Sequence, residues 1–120
     1  MVKLFSSGNS KNGLSIVIFA KEKNIIVAHT HTFFLRVLFA GRVQGVGFRW
    51  STLTVAKDFT ITGFVKNLPD GKVELIAEGE ETVVRSFLEA LRSKMALYVE
   101  DCQVVGERAP RRYEDFSIAY

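Results

Sequence analysis

The chain has 120 residues, enough for one domain with its own core, and 48% hydrophobic and 24% charged residues exclude a disordered or fibrous chain. A single cysteine, Cys102, excludes an internal disulfide and a cysteine metal cluster, so a reducing, cytoplasmic setting is expected. The net charge of +3 arises before Phe34, where four lysines face one glutamate, whereas from Phe34 onward twelve basic residues balance twelve acidic ones. A nucleic-acid partner needs a basic stripe on the domain itself, so none is expected.

Residues 1–33 read as an N-terminal extension: a loop, an added hairpin or a disordered tail. Phe5 to Gly13 is rich in Ser, Asn, Gly and Lys, as loops are. Leu14–Ala20 and Ile25–Ala28 are short apolar runs rich in β-branched residues, split by Lys21-Glu22-Lys23, and together could form a hairpin. Both fall well short of the roughly eighteen residues that cross a bilayer, so no membrane partner is expected. The charges after Ala20 are a poor context for signal-peptide cleavage. His29 and His31 share a face in an extended chain, but a metal site needs more ligands, and they read as surface histidines.

Residues 34–120 read as the folded domain. Phe34–Arg42 predicts a strand with Leu35, Val37 and Phe39 on one face. Arg49 to about Phe59 predicts a helix whose stripe is Phe48, Thr52, Val55, Ala56 and Phe59, with Trp50 on the outer side. Thr62–Leu68 and Lys72–Glu78 predict an antiparallel hairpin around Pro69-Asp70-Gly71, with Val73, Leu75 and Ala77 inward and Lys72, Glu74 and Glu78 outward. Glu80 to about Leu97 predicts a second helix with Val83, Val84, Phe87, Leu88, Leu91 and Met95 recurring at threes and fours. Glu80 and Glu81 sit at its positive end, Arg92 and Lys94 near its negative end. Val99–Val105 and Phe116–Tyr120 predict further strands, joined by a connection over Gly106–Glu114. The order β-α-β-β-α-β plus a last strand predicts an α+β, ferredoxin-like two-layer sandwich, an antiparallel sheet with both helices on one face.

Between the first strand and the first helix stands Gly41-Arg42-Val43-Gln44-Gly45-Val46-Gly47-Phe48-Arg49. Glycine admits positive φ and leaves no Cβ against a ligand. A glycine loop entering a helix N-terminus aims several N–H donors at one point, where the helix dipole favours negative charge. Arg49 adds a planar, permanently charged fork suited to phosphate. The loop therefore reads as a phosphate cradle. No Gly-Lys-Ser/Thr closes it, so it is not a Walker loop. The glycine spacing does not give the dinucleotide fingerprint. The plainer alternative is a glycine-rich turn followed by an arginine that only packs.

Val43-Gln44-Gly45-Val46-Gly47-Phe48-Arg49, followed by Gly63-Phe64-Val65-Lys66-Asn67 and Leu68-Pro69-Asp70-Gly71, resembles the acylphosphatase family in order and spacing. So do Ala77-Glu78-Gly79 and Phe116-Ser117-Ile118. The resemblance implies the ferredoxin-like fold and metal-independent hydrolysis of small-molecule acyl phosphates, with inorganic phosphate as product or inhibitor. It implies that backbone amides of Gln44, Gly45, Val46, Gly47 and Phe48 hold the phosphoryl oxygens, that Arg49 pairs with them, and that Asn67 orients the attacking water. No cofactor and no metal are implied, and a cytoplasmic monomer is expected. Phe64 stands where the family more often has tryptophan.

The alternatives belong to other classes. A non-catalytic phosphate-ligand-binding or interaction module could use the same fold, although Arg49 and Asn67 are both present. A hydrogenase-maturation domain would carry proline after the arginine, where Trp50 stands. An RNA-binding ferredoxin-like domain would need aromatics on the open face of the sheet, for which Phe39 and Phe64 are available, and a basic surface around them.

Overall fold

Strand pairing follows the alternation of the sequence. The computed structural model describes the backbone of residues 2–6, 15–21 and 24–31 and all atoms of residues 32–120. The elements in chain order are β1 (Val2–Ser6), β2 (Ser15–Lys21), β3 (Asn24–Gly41), α1 (Phe48–Ala56), β4 (Thr62–Asn67), β5 (Val73–Gly79), α2 (Glu81–Lys94), β6 (Val99–Ala109) and β7 (Phe116–Ala119). The loop expected over Phe5–Gly13 lies outside the described residues beyond Ser6, and so do the side chains of His29 and His31.

Strand β3 is far longer than the sequence pattern predicts, 18 residues. Its first half pairs antiparallel with β2, which pairs with β1. Its second half lies between β5 and β6, antiparallel to both, from Phe33 opposite Gly79 and from Thr32 opposite Ala109. Strand β4 pairs antiparallel with β5 on its other side. The domain sheet thus runs β6-β3-β5-β4-β7.

One pairing departs from the expected antiparallel sheet: β7 runs parallel to β4, Gly63 opposite Phe116 through Lys66 opposite Ala119. The reason is topological. Strand β6 is antiparallel to β3 and so runs opposite to β4; the chain turns back after it and returns as β7 antiparallel to β6, which makes β7 parallel to β4. The crossing uses the face opposite the helices. There Tyr113 packs on Phe64 with ring centroids 5.6 Å apart, and the Arg112 guanidinium lies 4.9 Å from the Phe34 ring centre.

Glu78 lies on the face opposite the helices, as the alternation predicts, but this crossing covers it and leaves it 1% exposed. Its carboxylate accepts from the amides of Arg112 and Tyr113, both at 2.9 Å, and from the Thr62 hydroxyl at 3.1 Å. A buried carboxylate is tolerable when donors replace its lost water.

The face toward the helices is the core. Leu35, Val37 and Phe39 of β3, Val65 of β4 and Val73, Leu75 and Ala77 of β5 are fully buried. Phe39 is therefore unavailable on the open face, against the requirement of an RNA-binding reading. Helix α1 covers the core with Phe48, Thr52 and Ala56, and α2 with Val84, Phe87, Leu88 and Leu91. Both predicted stripes match, with Val55, Phe59 and Val83 partly buried against the same core. Helix α2 carries Glu81 in its first turn and Arg92 and Lys94 in its last. Among the described residues no helix is long and apolar enough to cross a membrane.

Strand β6 also runs past its expected end at Val105, reaching Ala109. Gly106, expected to open the connection to the last strand, lies within β6, and a Cβ there would stand 2.6 Å from the Phe33 ring. The missing side chain makes room for that ring.

Candidate active site

The loop between β3 and α1 is built by left-handed backbone. Gly45 and Gly47 have φ of +78° and +75°, and a Cβ at either would meet nothing within 4 Å. These glycines are required by conformation rather than crowding, since other residues seldom adopt such angles. The space above them is open.

Gly47 is the N-cap of α1, which lacks any side-chain cap, and the first turn closes where the Ser51 amide donates to the Gly47 carbonyl at 2.9 Å. The amides ahead of Ser51 point out of the helix start without intrahelical acceptors. The start is fixed by packing: Phe48 is buried with its ring 5.0 Å from that of Phe39, and the Thr52 hydroxyl donates to the Phe48 carbonyl at 2.8 Å.

Gln44 fastens the loop from the other side. Its side-chain amide donates to the carbonyls of Leu68 (2.8 Å) and Lys72 (2.9 Å), which flank the turn between β4 and β5. That turn is closed by Leu68 N–H to the Lys72 carbonyl at 2.8 Å and by Asp70 accepting from the Lys72 amide at 3.0 Å. The last residue of β4 before the turn is Asn67.

These parts enclose a cleft of about 300 Å³ lined by Gly45, Gly47, Phe48, Arg49, Asn67, Val43, Trp50, Ile118 and Tyr120. Five of the seven residues singled out from sequence line it. Gln44 and Val46 belong to the same loop, but the Gln44 side chain reaches the turn and Val46 packs on the core. Arg49 is half-buried and makes no ion pair with a carboxylate among the described residues; its guanidinium lies 5.1 Å from the centre of the Tyr120 ring. The Asn67 Oδ1 is buried and has no hydrogen-bond partner. An acceptor left so costs about 1–3 kcal/mol unless something donates to it.

A larger cavity of about 570 Å³ lies where Thr32, Thr62, Glu78, Gly79, Arg111 and Glu114 meet. Size favours it, chemistry does not. Its buried carboxylate, Glu78, is already satisfied by backbone amides, whereas the smaller cleft brings the glycine loop, Arg49 and Asn67 together.

The sequence did not bring Ile118, Tyr120 or Trp50 to the cleft. Tyr120 arrives because β7 is parallel to β4: with Ala119 opposite Lys66, the next residues, Tyr120 and Asn67, emerge at the same end of the sheet. No local pattern carries that pairing. Trp50 was assigned to the outer face of α1; it is 64% exposed and also borders the cleft.

A family model described as Acylphosphatase matches residues 35–118. An acylphosphatase of Archaeoglobus fulgidus is 43% identical over 86 residues, covering 72% of this chain and 97% of that protein. The crystal structure of acylphosphatase from Bacillus subtilis superposes with a TM-score of 0.68 at 39% identity, over 73% of this chain and 99% of that one. Full-length HypF in its phosphate- and nucleotide-bound form superposes at 0.61 with 28% identity, over 75% of this chain but 12% of that chain.

Proposed function

We propose that this chain, which belongs to the acylphosphatase family, hydrolyses acyl phosphates to a carboxylate and inorganic phosphate. In this reading the amides of Gln44 to Phe48 and the Arg49 guanidinium bind the phosphoryl oxygens, and Asn67 holds the attacking water. What carries it is that the glycine loop, Arg49 and Asn67 line one cleft. A water bound by the Asn67 side-chain amide in that cleft would stand beside whatever the loop holds.

The chemistry suits these residues. A carboxylate is stable without a proton at neutral pH, so the leaving group needs no general acid. Water oxygen bonds to phosphorus while the bond from phosphorus to the acyl oxygen breaks, and its electron pair leaves with the carboxylate. The water's proton passes to a phosphoryl oxygen. The protein's task is then to hold, orient and stabilise charge. Each well-aimed donor in such a site contributes about a hundredfold or more in rate.

Acyl phosphate is thus the proposed ligand, with inorganic phosphate as product and competitive inhibitor. The cytoplasmic location and monomeric state expected from the sequence belong to the same proposal. So does the division into residues 1–33 and 34–120, which the extent of the family match, residues 35–118, supports. Turnover of a chromogenic acyl phosphate by the native protein, Arg49→Gln and Asn67→Ala tests the roles. Near-complete loss in both variants is expected, with phosphate binding lost mainly in Arg49→Gln. Retained turnover in Asn67→Ala would remove the water-holding role.

A further inference from the structure

Resting on the hydrolytic reading above, we propose that Glu78 is a positioning residue for the cleft. By holding the segment between β6 and β7 it sets where β7 lies along β4, and through β7 it sets how Arg49 meets phosphate. Among the described residues Glu78 is the one buried side chain that carries a formal charge. Its carboxylate is spent on one stretch of chain: it accepts from the amides of Arg112 and Tyr113 at 2.9 Å each, together with the Thr62 hydroxyl at 3.1 Å. Hydrogen bonds to a carboxylate are about twice as strong as those between neutral groups, so two consecutive amides on one carboxylate make a firm clamp.

Strand β7 needs that clamp. It has four residues and a single neighbouring strand, β4. Phe116, its ring 5.7 Å from that of Phe87, and Ile118 turn one face to the core. That packing selects the face but not the position along β4. A slip of two residues keeps the face and moves the strand by about 7 Å. Only Glu114 and Asp115 separate Tyr113 from Phe116, and the Asp115 carbonyl accepts from the Gly63 amide at 2.8 Å. The grip on Tyr113 therefore leaves no slack ahead of β7, and Phe116 falls opposite Gly63. Beyond the other end of that strand Tyr120 joins Ile118 in the cleft lining, with the Arg49 guanidinium 5.1 Å from the centre of the Tyr120 ring. Glu78 itself stands opposite Thr62, the first residue of β4, whereas Asn67 is the last. It acts on the cleft from the opposite end of the sheet without touching it.

The test measures binding of inorganic phosphate by calorimetry, and kcat and KM for benzoyl phosphate, in the native protein, Glu78→Gln and Glu78→Ala. Leu88→Ala, which truncates the core under α2, is the control. All are compared at a temperature where circular dichroism shows them folded. The Kd for phosphate and the KM should rise together, about threefold or more in Glu78→Gln and about tenfold or more in Glu78→Ala, and stay native in Leu88→Ala. A purely structural role would lower the folded fraction in every variant and leave both constants of the folded protein unchanged. If Glu78→Ala does not fold, Glu78→Gln decides. Native phosphate affinity in folded Glu78→Gln would overturn the proposal, and so would an equal loss of affinity in Leu88→Ala. A native protein that turns over no acyl phosphate would instead remove the hydrolytic reading, and the positioning role with it.

Discussion

The side-chain amide of Gln44 donates to the Leu68 carbonyl at 2.8 Å, joining the glycine loop to the turn that follows Asn67. A second bond to the Lys72 carbonyl at 2.9 Å uses the other amide hydrogen, so one side chain sets the distance between the proposed phosphate cradle and the proposed water holder. Gln44→Glu keeps the size but replaces a donor by an anion facing two carbonyls. We expect turnover to fall at least tenfold and stability by about 1–3 kcal/mol, with Gln44→Ala milder in both. Urea unfolding alongside kcat and KM checks this; an active Gln44→Glu of native stability would refute the linkage.

Asn67 should separate stability from activity. Removing a buried, unmet acceptor relieves a cost, so Asn67→Ala is expected to be as stable as the native protein to within about 0.5 kcal/mol, or slightly more stable, while turnover falls at least a hundredfold. Thermal unfolding and steady-state kinetics on the same preparation decide it. Parallel losses would mean that Asn67 serves the fold.

Glu78 should behave in the opposite way. Glu78→Ala strands the amides of Arg112 and Tyr113, which the carboxylate now satisfies, and opens a void beneath the crossing segment. A loss of about 3 kcal/mol or more is expected, and Glu78→Gln, which still offers one acceptor, should lose less. Chemical denaturation measures both. Because the crossing leads into β7 and Tyr120, hydrogen exchange of residues 112–119 should accelerate in Glu78→Ala before that of α2.

These cases mark what the sequence discloses. The helices, the central hairpin and the core faces were legible because period and alternation are local properties of Leu35, Val37 and Phe39 or of Val84, Phe87 and Leu91. That the glycine loop, Arg49 and Asn67 meet at one cleft was legible because two separated motifs fit one chemistry. The covering of Glu78, the parallel placement of β7 and the arrival of Tyr120 at the cleft were not. Each depends on where the segment between β6 and β7 crosses the sheet, and that route leaves no periodic trace. The reach of β6 through Gly106 was hidden for a related reason: the glycine makes room for the ring of Phe33, which is distant in sequence.

Cys102 gives a pH prediction. Burial pushes its thiol up, opposed by nearby Arg92 and reinforced by Asp101. A thiol raised in the folded state stays protonated at neutral pH, so iodoacetamide should label native protein more slowly than urea-unfolded protein. For the sign, folding disfavours the thiolate. Any contribution is intact below the unfolded thiol's titration and is lost as pH rises through the folded one. Stability should therefore decline more steeply at alkaline pH in the native protein than in Cys102→Ala, and identical alkaline profiles would contradict this.

The family match begins at residue 35, and Thr32 donates its hydroxyl to the Gly79 carbonyl at 2.8 Å. A chain starting at Thr32 keeps that bond and the whole domain sheet. It should fold and turn over acyl phosphate within about threefold of the full chain, since among the described residues none before Val43 lines the cleft. Loss of activity in a folded protein of this length would assign the extension a part in the site.

The most direct test of the whole account is hydrolysis of benzoyl phosphate in ¹⁸O-labelled water, with both products analysed by mass spectrometry. If the loop and Arg49 hold the phosphoryl group while Asn67 presents the water to phosphorus, the label enters inorganic phosphate and the benzoate stays unlabelled. Label in the benzoate would mean attack at the carbonyl carbon, and the assignment of the cleft as a phosphoryl-transfer site would be wrong.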